Sequence, residues 1–323
     1  MTVTAAPQMT SPSVVQPLVP NARVELRHAS RWYGNVVAVN DVSCSLGPGI
    51  TGVLGPNGAG KTTVLHMMAG LLAASAGEVL VDGKPASGNP DVYRSLALVP
   101  EREAVHPFLT GREFVRASAE LYGLDDVKGA VDRAIALVAL EDAQNRKVDT
   151  YSKGMRQRIK IAGALVHDPA IILLDEPFNG MDPRQRLQMM NVLKQVAAAG
   201  KVVVISSHIL EELNDLANNV LVMVAGRLAA SGHYREIRRL MTDRPHRFLI
   251  KSSDDRHLAA ALLSDSSVFA VELTEDGIIA RTSDRSRLTR SLPRIARDER
   301  VRLLEIHPTD ESLESVFSYL VDR

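Results

Sequence analysis

The sequence has a single cysteine, Cys44, among 323 residues. No intrachain disulfide can form, and nothing points to an oxidising compartment. It has no surplus of either charge, with 38 Lys and Arg against 38 Asp and Glu. Proteins that hold a polyanion carry a basic excess, so nucleic acid is not an expected partner. Long apolar runs are missing too. The apolar stretches at residues 171–174, 202–205 and 220–225 fall far short of the roughly 20 residues of a membrane span. They read as buried strands. Residues 1–22 hold four prolines among Thr, Ser and Gln, with no basic start. That composition predicts a disordered tail rather than a signal peptide. The expectation is a soluble, cytoplasmic protein whose work at a membrane, if any, depends on spans supplied by other chains.

What is present is an alternation. From residue 23 to 232, short β-branched runs alternate with helical patterns, which predicts an α/β domain with a largely parallel sheet. In its early part, residues 24–26, 36–39 and 42–46 predict short antiparallel strands, followed by the first buried strand at 50–54. A strand at 77–81 is turned by Asp82-Gly83, and another lies at 96–99. Residues 102–165 turn helical. Phe114, Ala117, Leu121 and Tyr122 suggest one apolar face; Val131, Ile135 and Val138 suggest a second, with Asp125 or Asp126 as its cap. An arginine-rich segment at 233–246, interrupted by Pro245, predicts a linker helix. Residues 247–323 then read β-α-β-β-α-β plus a terminal helix, a small α+β domain of ferredoxin-like order, with Glu275-Asp276-Gly277 turning its hairpin. Leu313, Val316, Phe317 and Leu320 give that last helix an apolar face, packed on the small sheet or on a second subunit.

The chemistry is carried by two segments. Gly55-Pro56-Asn57-Gly58-Ala59-Gly60-Lys61-Thr62-Thr63 follows an apolar strand and precedes helical spacing at Val64, Leu65, Met68, Leu71 and Leu72. Glycines let backbone N–H groups turn around phosphate oxygens, and a helix N-terminus adds partial positive charge. Lys61 would reach the β- and γ-phosphates, and Thr62 would ligate Mg²⁺. The second segment, residues 171–174, is an apolar strand delivering Asp175 and Glu176 at its end. Open α/β sheets bind ligands there. Asp175 would stand near Mg²⁺, and Glu176 would polarise the attacking water.

With these in place, the chain strongly resembles the ATP-binding cassette family over residues 23–232. Tyr33 in Arg31-Trp32-Tyr33-Gly34 is similar to the aromatic that stacks on adenine, with Trp32 as the competing stacker. Tyr151-Ser152-Lys153-Gly154-Met155 resembles the signature motif, with Ser152 and Gly154 offering a second anion site toward the nucleotide of another subunit. Asn179-Gly180-Met181-Asp182 resembles the D-loop, and His208 the switch histidine at the γ-phosphate. The resemblance implies a P-loop cassette with an antiparallel β subdomain and a helical subdomain. It also implies catalytic Lys61, Glu176 and His208, ATP with Mg²⁺, a dimer, and separate membrane-spanning permease subunits at the cytoplasmic face of the cell membrane. Arg102, His106, Phe108 and Tyr122 would be contributors to the surface that meets those subunits.

Two departures stand out. Tyr151, Lys153 and Met155 alter the usual signature. Glu101 occupies the position where the family carries the Q-loop glutamine; its carboxylate keeps an acceptor for Mg²⁺ or water but loses the amide donor and adds negative charge. Glu101 could instead pair with Arg102. The resemblance implies an ATPase driving export of drugs, antibiotics, lipids or polysaccharides, the alternative being a soluble ABC ATPase outside transport.

Overall fold

A computed structural model describes residues 22–102, 105–217, 219–233, 236–237, 246–309 and 317. The expected N-terminal tail lies outside these residues. So do most of the expected linker helix and, apart from Phe317, the terminal helix.

The described residues up to His233 form one compact unit. Strands β1 (Val24–Tyr33), β2 (Val36–Leu46), β4 (Ala76–Val81) and β5 (Lys84–Pro85) make an antiparallel sheet in the order β2-β1-β4-β5. The two short strands expected at 36–39 and 42–46 are one. Asp41 takes a left-handed φ of 54° inside β2, and the pairing with β1 is irregular around Ala29. That break in the pattern resembled a strand end.

A second sheet runs β10-β9-β3-β8-β7-β6. Its members are β3 (Gly49–Leu54), β6 (Leu96–Val99), β7 (Ile171–Asp175), β8 (Val202–Ser207) and β9 (Asn219–Val224), with β10 (Arg227–His233) at one edge. Pairing is parallel except at β9–β10. Parallel strands are covered on both faces and so carry continuous apolar runs. Every residue of β7 and β8 is buried accordingly. Helix α1 (Lys61–Met68) buries Val64, Leu65, Met67 and Met68 in one cluster that also takes in Val24, Leu26 and Val79 of the antiparallel sheet and Val53, Ile171 and Val204 of the parallel one. Apolar packing against both sheets fixes this short helix, and with it the loop that enters it. The helix stops at Met68, before Gly70 with φ 72°, so Leu71 does not continue its apolar face and is 62% exposed.

The short helix α2 (Pro90–Ser95) leads into β6, and three longer ones follow: α3 (Gly111–Leu121), α4 (Val127–Leu137) and α5 (Lys153–Leu165). Thr110 and Glu113 form a reciprocal capping box on α3, and Asp126 caps α4. The apolar face expected on α3 is displaced. Gly111, Val115 and Ala119 are buried, whereas Ala117 is exposed and Leu121 is 88% exposed. Glycines let α3 and α5 approach closely: a Cβ on Gly111 would stand 3.3 Å from Ile159 Cδ1 of α5, and one on Gly163 of α5 would stand 2.9 Å from the Phe114 ring. Val131, Ile135 and Val138 are buried as their spacing requires. Helix α6 (Pro183–Ala198) and the single-turn α7 (Leu210–Asn214) complete the unit.

The described residues after His233 form a second compact unit. Strands β11 (His246–Ser252), β12 (Val268–Thr274), β13 (Gly277–Thr282) and β14 (Leu303–Pro308) lie in the order β12-β13-β11-β14, antiparallel throughout. Helices α8 (Asp255–Leu262) and α9 (Arg285–Asp298) bury Leu258, Leu262, Leu288 and Leu292 against Phe248, Ile250, Ile278 and Ala280. This is the split β-α-β arrangement of ferredoxin-like domains.

Candidate nucleotide site

Because β3, β7 and β8 are parallel, their C-terminal ends share one edge of the sheet, where open α/β folds place ligands. A pocket of about 430 Å³ opens there. The loop from Asn57 to Thr63 lines one side; Asp175, Glu176, His208 and Glu101 line the other.

The loop's shape depends on Gly60. It sits at φ 98°, and a Cβ there would lie 2.5 Å from the Ala38 carbonyl oxygen. A side chain would be strained twice over, by backbone angle and by contact. Gly60 is also the N-cap of α1 and supplies no side-chain cap, which leaves the first-turn amides for an anion. Lys61 is 7% exposed, and its Nζ donates to the carbonyls of Gly55 (2.7 Å) and Pro56 (3.3 Å). Burial lowers its pKa, opposed by the charges of Glu176, Asp175 and Glu101.

Asp175 is held from two sides. Thr62 Oγ1 donates to its Oδ2 at 2.8 Å, and the buried Ser206 hydroxyl donates to Oδ1. The same Ser206 oxygen accepts the Glu176 amide at 3.0 Å. Glu176 occupies a left-handed φ of 49°, a conformation costly for a residue other than glycine and frequent at functional sites. Its Oε2 meets His208 Nδ1 at 2.8 Å. An ionised carboxylate has no proton to give, so with Glu176 ionised it is Nδ1 that donates this hydrogen bond. Burial raises the Glu176 pKa; the hydrogen bond and charge of His208 oppose this.

That direction has a consequence for stability. A carboxyl whose folded pKa is raised is the better proton binder in the native state, so its contribution falls as pH rises from the unfolded value through the folded one. Above that window the full desolvation penalty applies. Glu176→Gln, which cannot ionise, is therefore expected to melt higher than wild type at neutral pH, with the difference shrinking toward pH 4. Melting curves of both proteins between pH 4 and 8 check this; a difference that grows on acidification contradicts it.

The structure brings together Asn57, Gly58, Ala59, Gly60, Lys61, Thr62, Thr63, Glu101, Asp175, Glu176 and His208. It does not bring the other candidates to the pocket. Tyr33 is 45% exposed and carries the Arg31 guanidinium 5.0 Å from its ring centre. Ser152 caps α5 by accepting the Met155 amide, and Asp182 caps α6 by accepting the Gln185 amide. Gly154 lies against α6 and the preceding loop; a Cβ there would meet Gln185 Oε1 at 2.3 Å and the Gly180 carbonyl at 3.2 Å. Two residues went unread in the sequence. Ala38 lines the pocket because Gly60 lets β2 approach, and Ser206 orients both carboxylate residues. A serine ending an otherwise apolar buried strand was the available signal for Ser206.

The sequence model of the ABC transporter family matches residues 39–179. The chain is 31% identical over 305 residues to the daunorubicin/doxorubicin resistance ATP-binding protein DrrA of Streptomyces peucetius, covering 92% of each. The chain belongs to the ABC transporter ATP-binding family. It is 33% identical over 220 residues to the Nod factor export ATP-binding protein I of Cupriavidus metallidurans, covering 67% of this chain and 73% of that one. Among solved structures, an ATP-binding subunit of an ABC transporter superposes with a TM-score of 0.62 at 27% identity, over 67% of this chain and 92% of that chain. The ABC cassette fold expected from the motifs is thus present, and the protein is an ATP-binding ABC ATPase. The match to the resistance protein is long enough to extend into the C-terminal unit.

Proposed function

We propose that this ABC ATPase is the nucleotide-hydrolysing subunit of an export-type transporter. It works as a dimer at the cytoplasmic face of the membrane, with membrane-spanning subunits supplied by other chains. The observation that carries hydrolysis is the grouping of Lys61, Thr62–Asp175 and Glu176–His208 around one pocket. Lys61 binds the β- and γ-phosphates beside the first-turn amides of α1. Glu176 orients the attacking water and accepts its proton, with His208 fixing the carboxylate and reaching the γ-phosphate. Tyr33 supplies an adenine-stacking face, and Ser152, Gly154 and Asp182 serve the nucleotide of the second subunit.

The donor set fits Mg²⁺. Thr62 Oγ1 and Asp175 Oδ2 are hard oxygen ligands 2.8 Å apart. Among the described residues no cluster of three or more His, Cys, Asp or Glu could cage a metal alone, which suits an ion that takes much of its shell from phosphate oxygens and water. Lys61 stands as one ammonium under the influence of three carboxylates, Glu176, Asp175 and Glu101, so polyphosphate entering this pocket needs further positive charge. When bound, the ion would neutralise developing charge on the phosphate oxygens.

Export is supported by relatives named for drug resistance and Nod factor export. Among the described residues no helix is long and apolar enough to cross a membrane, which accords with spans on partner chains. The purified chain is expected to release phosphate from ATP in Mg²⁺ and to stop in EDTA. In its native cells it is expected to sediment with membranes and to be stripped off by alkaline carbonate. An EDTA-insensitive rate removes the metal; a chain wholly in the soluble fraction removes the transporter and leaves a soluble ABC ATPase.

A further inference from the structure

Helix α5 carries a buried cation that the nucleotide site does not use directly. Lys160 is 5% exposed. Its Nζ donates to the carbonyl oxygens of Pro100 at 2.8 Å, Arg102 at 3.2 Å and Glu101 at 3.4 Å. An ammonium has three donors and no acceptor, and here it meets three successive carbonyls of the segment leaving β6. The middle residue, Glu101, lines the pocket, and its charge acts on Lys61. Those converging carbonyls offset burial of the cation, and the contact in turn holds the backbone at 100–102 in the conformation that puts the Glu101 side chain at the pocket.

We infer that Lys160 is a positioning residue: by gripping the backbone of residues 100–102 it sets where the Glu101 carboxylate stands at the pocket, and it ties that carboxylate to the helix capped by Ser152. The inference rests on the proposed ATPase site, with Glu101 facing the terminal phosphate. Under it, a shift of α5 shifts the carboxylate as well, and the electrostatic setting of the γ-phosphate follows the position of the signature helix. Lys160 is not among the residues lining the pocket; it acts through Glu101.

A double-mutant cycle on the full-length chain tests it, reading the ratio of ATP to ADP affinity at fixed Mg²⁺ by calorimetry. Loosening a merely structural brace would weaken both nucleotides alike and leave the ratio still. Lys160→Met is expected to move the ratio by about threefold or more, in the same direction as Glu101→Gln, and by less than about twofold when Glu101→Gln is already present. Lys160→Arg, which retains several donors, is expected to hold the ratio within about twofold of wild type. Equal shifts in both backgrounds, or an unmoved ratio, overturn the inference. If Lys160→Met does not fold, as judged by its melting curve, Lys160→Gln is carried through the same two backgrounds and decides. Phosphate release by the wild-type chain is read alongside: a wild type that binds no ATP refutes the site itself, whereas an active wild type with additive variants refutes the role of Lys160 alone.

Discussion

Replacing Glu176 with glutamine is expected to cut steady-state ATP hydrolysis by about 10²-fold or more while leaving ATP affinity within a few-fold of wild type. The geometry behind this is specific. Glu176 is almost fully buried, stands at the end of β7 in a left-handed backbone conformation, and has one carboxylate oxygen engaged by His208. Burial raises its pKa, which strengthens it as a proton acceptor and brings its titration nearer the working pH. Glutamine keeps the size and an oxygen for His208 but cannot take up a proton. Binding should survive because the phosphates are held by Lys61 and the start of α1, not by Glu176; removing one of the carboxylates acting on Lys61 even favours an incoming anion. Under the proposed dimer, the variant should trap ATP and persist as the paired form in light scattering. Phosphate release and nucleotide binding on the same preparation decide the matter. A rate near that of wild type would remove Glu176 from the chemistry.

Much of this site was legible in the chain because its parts obey local rules. A glycine-rich loop between a strand and a helix forces inward amides, and a buried parallel strand ending in Asp175-Glu176 delivers carboxylates to the ligand edge. Each signal is contained within a few consecutive residues of its own segment. What stayed illegible is contact between distant segments. Ser206 joins Asp175 and Glu176 from a neighbouring strand, and Lys160 reaches residues 100–102 from another helix. Neither has a motif of its own. The α3 face failed for a related reason. Periodicity favoured the large residues Leu121 and Tyr122, but the neighbouring helix α5 needs close approach, so the small residues Gly111 and Ala119 are buried instead. Glu101 lines the pocket; how its backbone is held there could not be read.

Lys61→Ala is expected to weaken binding itself, for ATP and ADP alike, by about 10-fold to 10²-fold, since hydrogen bonds to charged groups contribute roughly 1.5–3 kcal/mol. The loss differs in kind from that of Glu176. Among the described residues Lys61 is the only lysine or arginine lining the pocket, and without it the carboxylates of Asp175, Glu176 and Glu101 are offset mainly by the metal ion and the α1 amides. In the structure its ammonium is turned onto the Gly55 and Pro56 carbonyls. Those contacts hold the charge within the loop, at a desolvation cost that lowers its pKa, and arriving phosphate oxygens favour the charged form again. Alanine removes the charge and strips two carbonyls of a donor, so a small drop in melting temperature should accompany the loss of affinity. AMP, which lacks the β- and γ-phosphates, is the control: its affinity should change little. Calorimetry with a non-hydrolysable ATP analogue, ADP and AMP separates the cases. Equal weakening of all three would point to collapse of the loop, and unchanged ATP affinity would mean that Lys61 does not meet the phosphates at all.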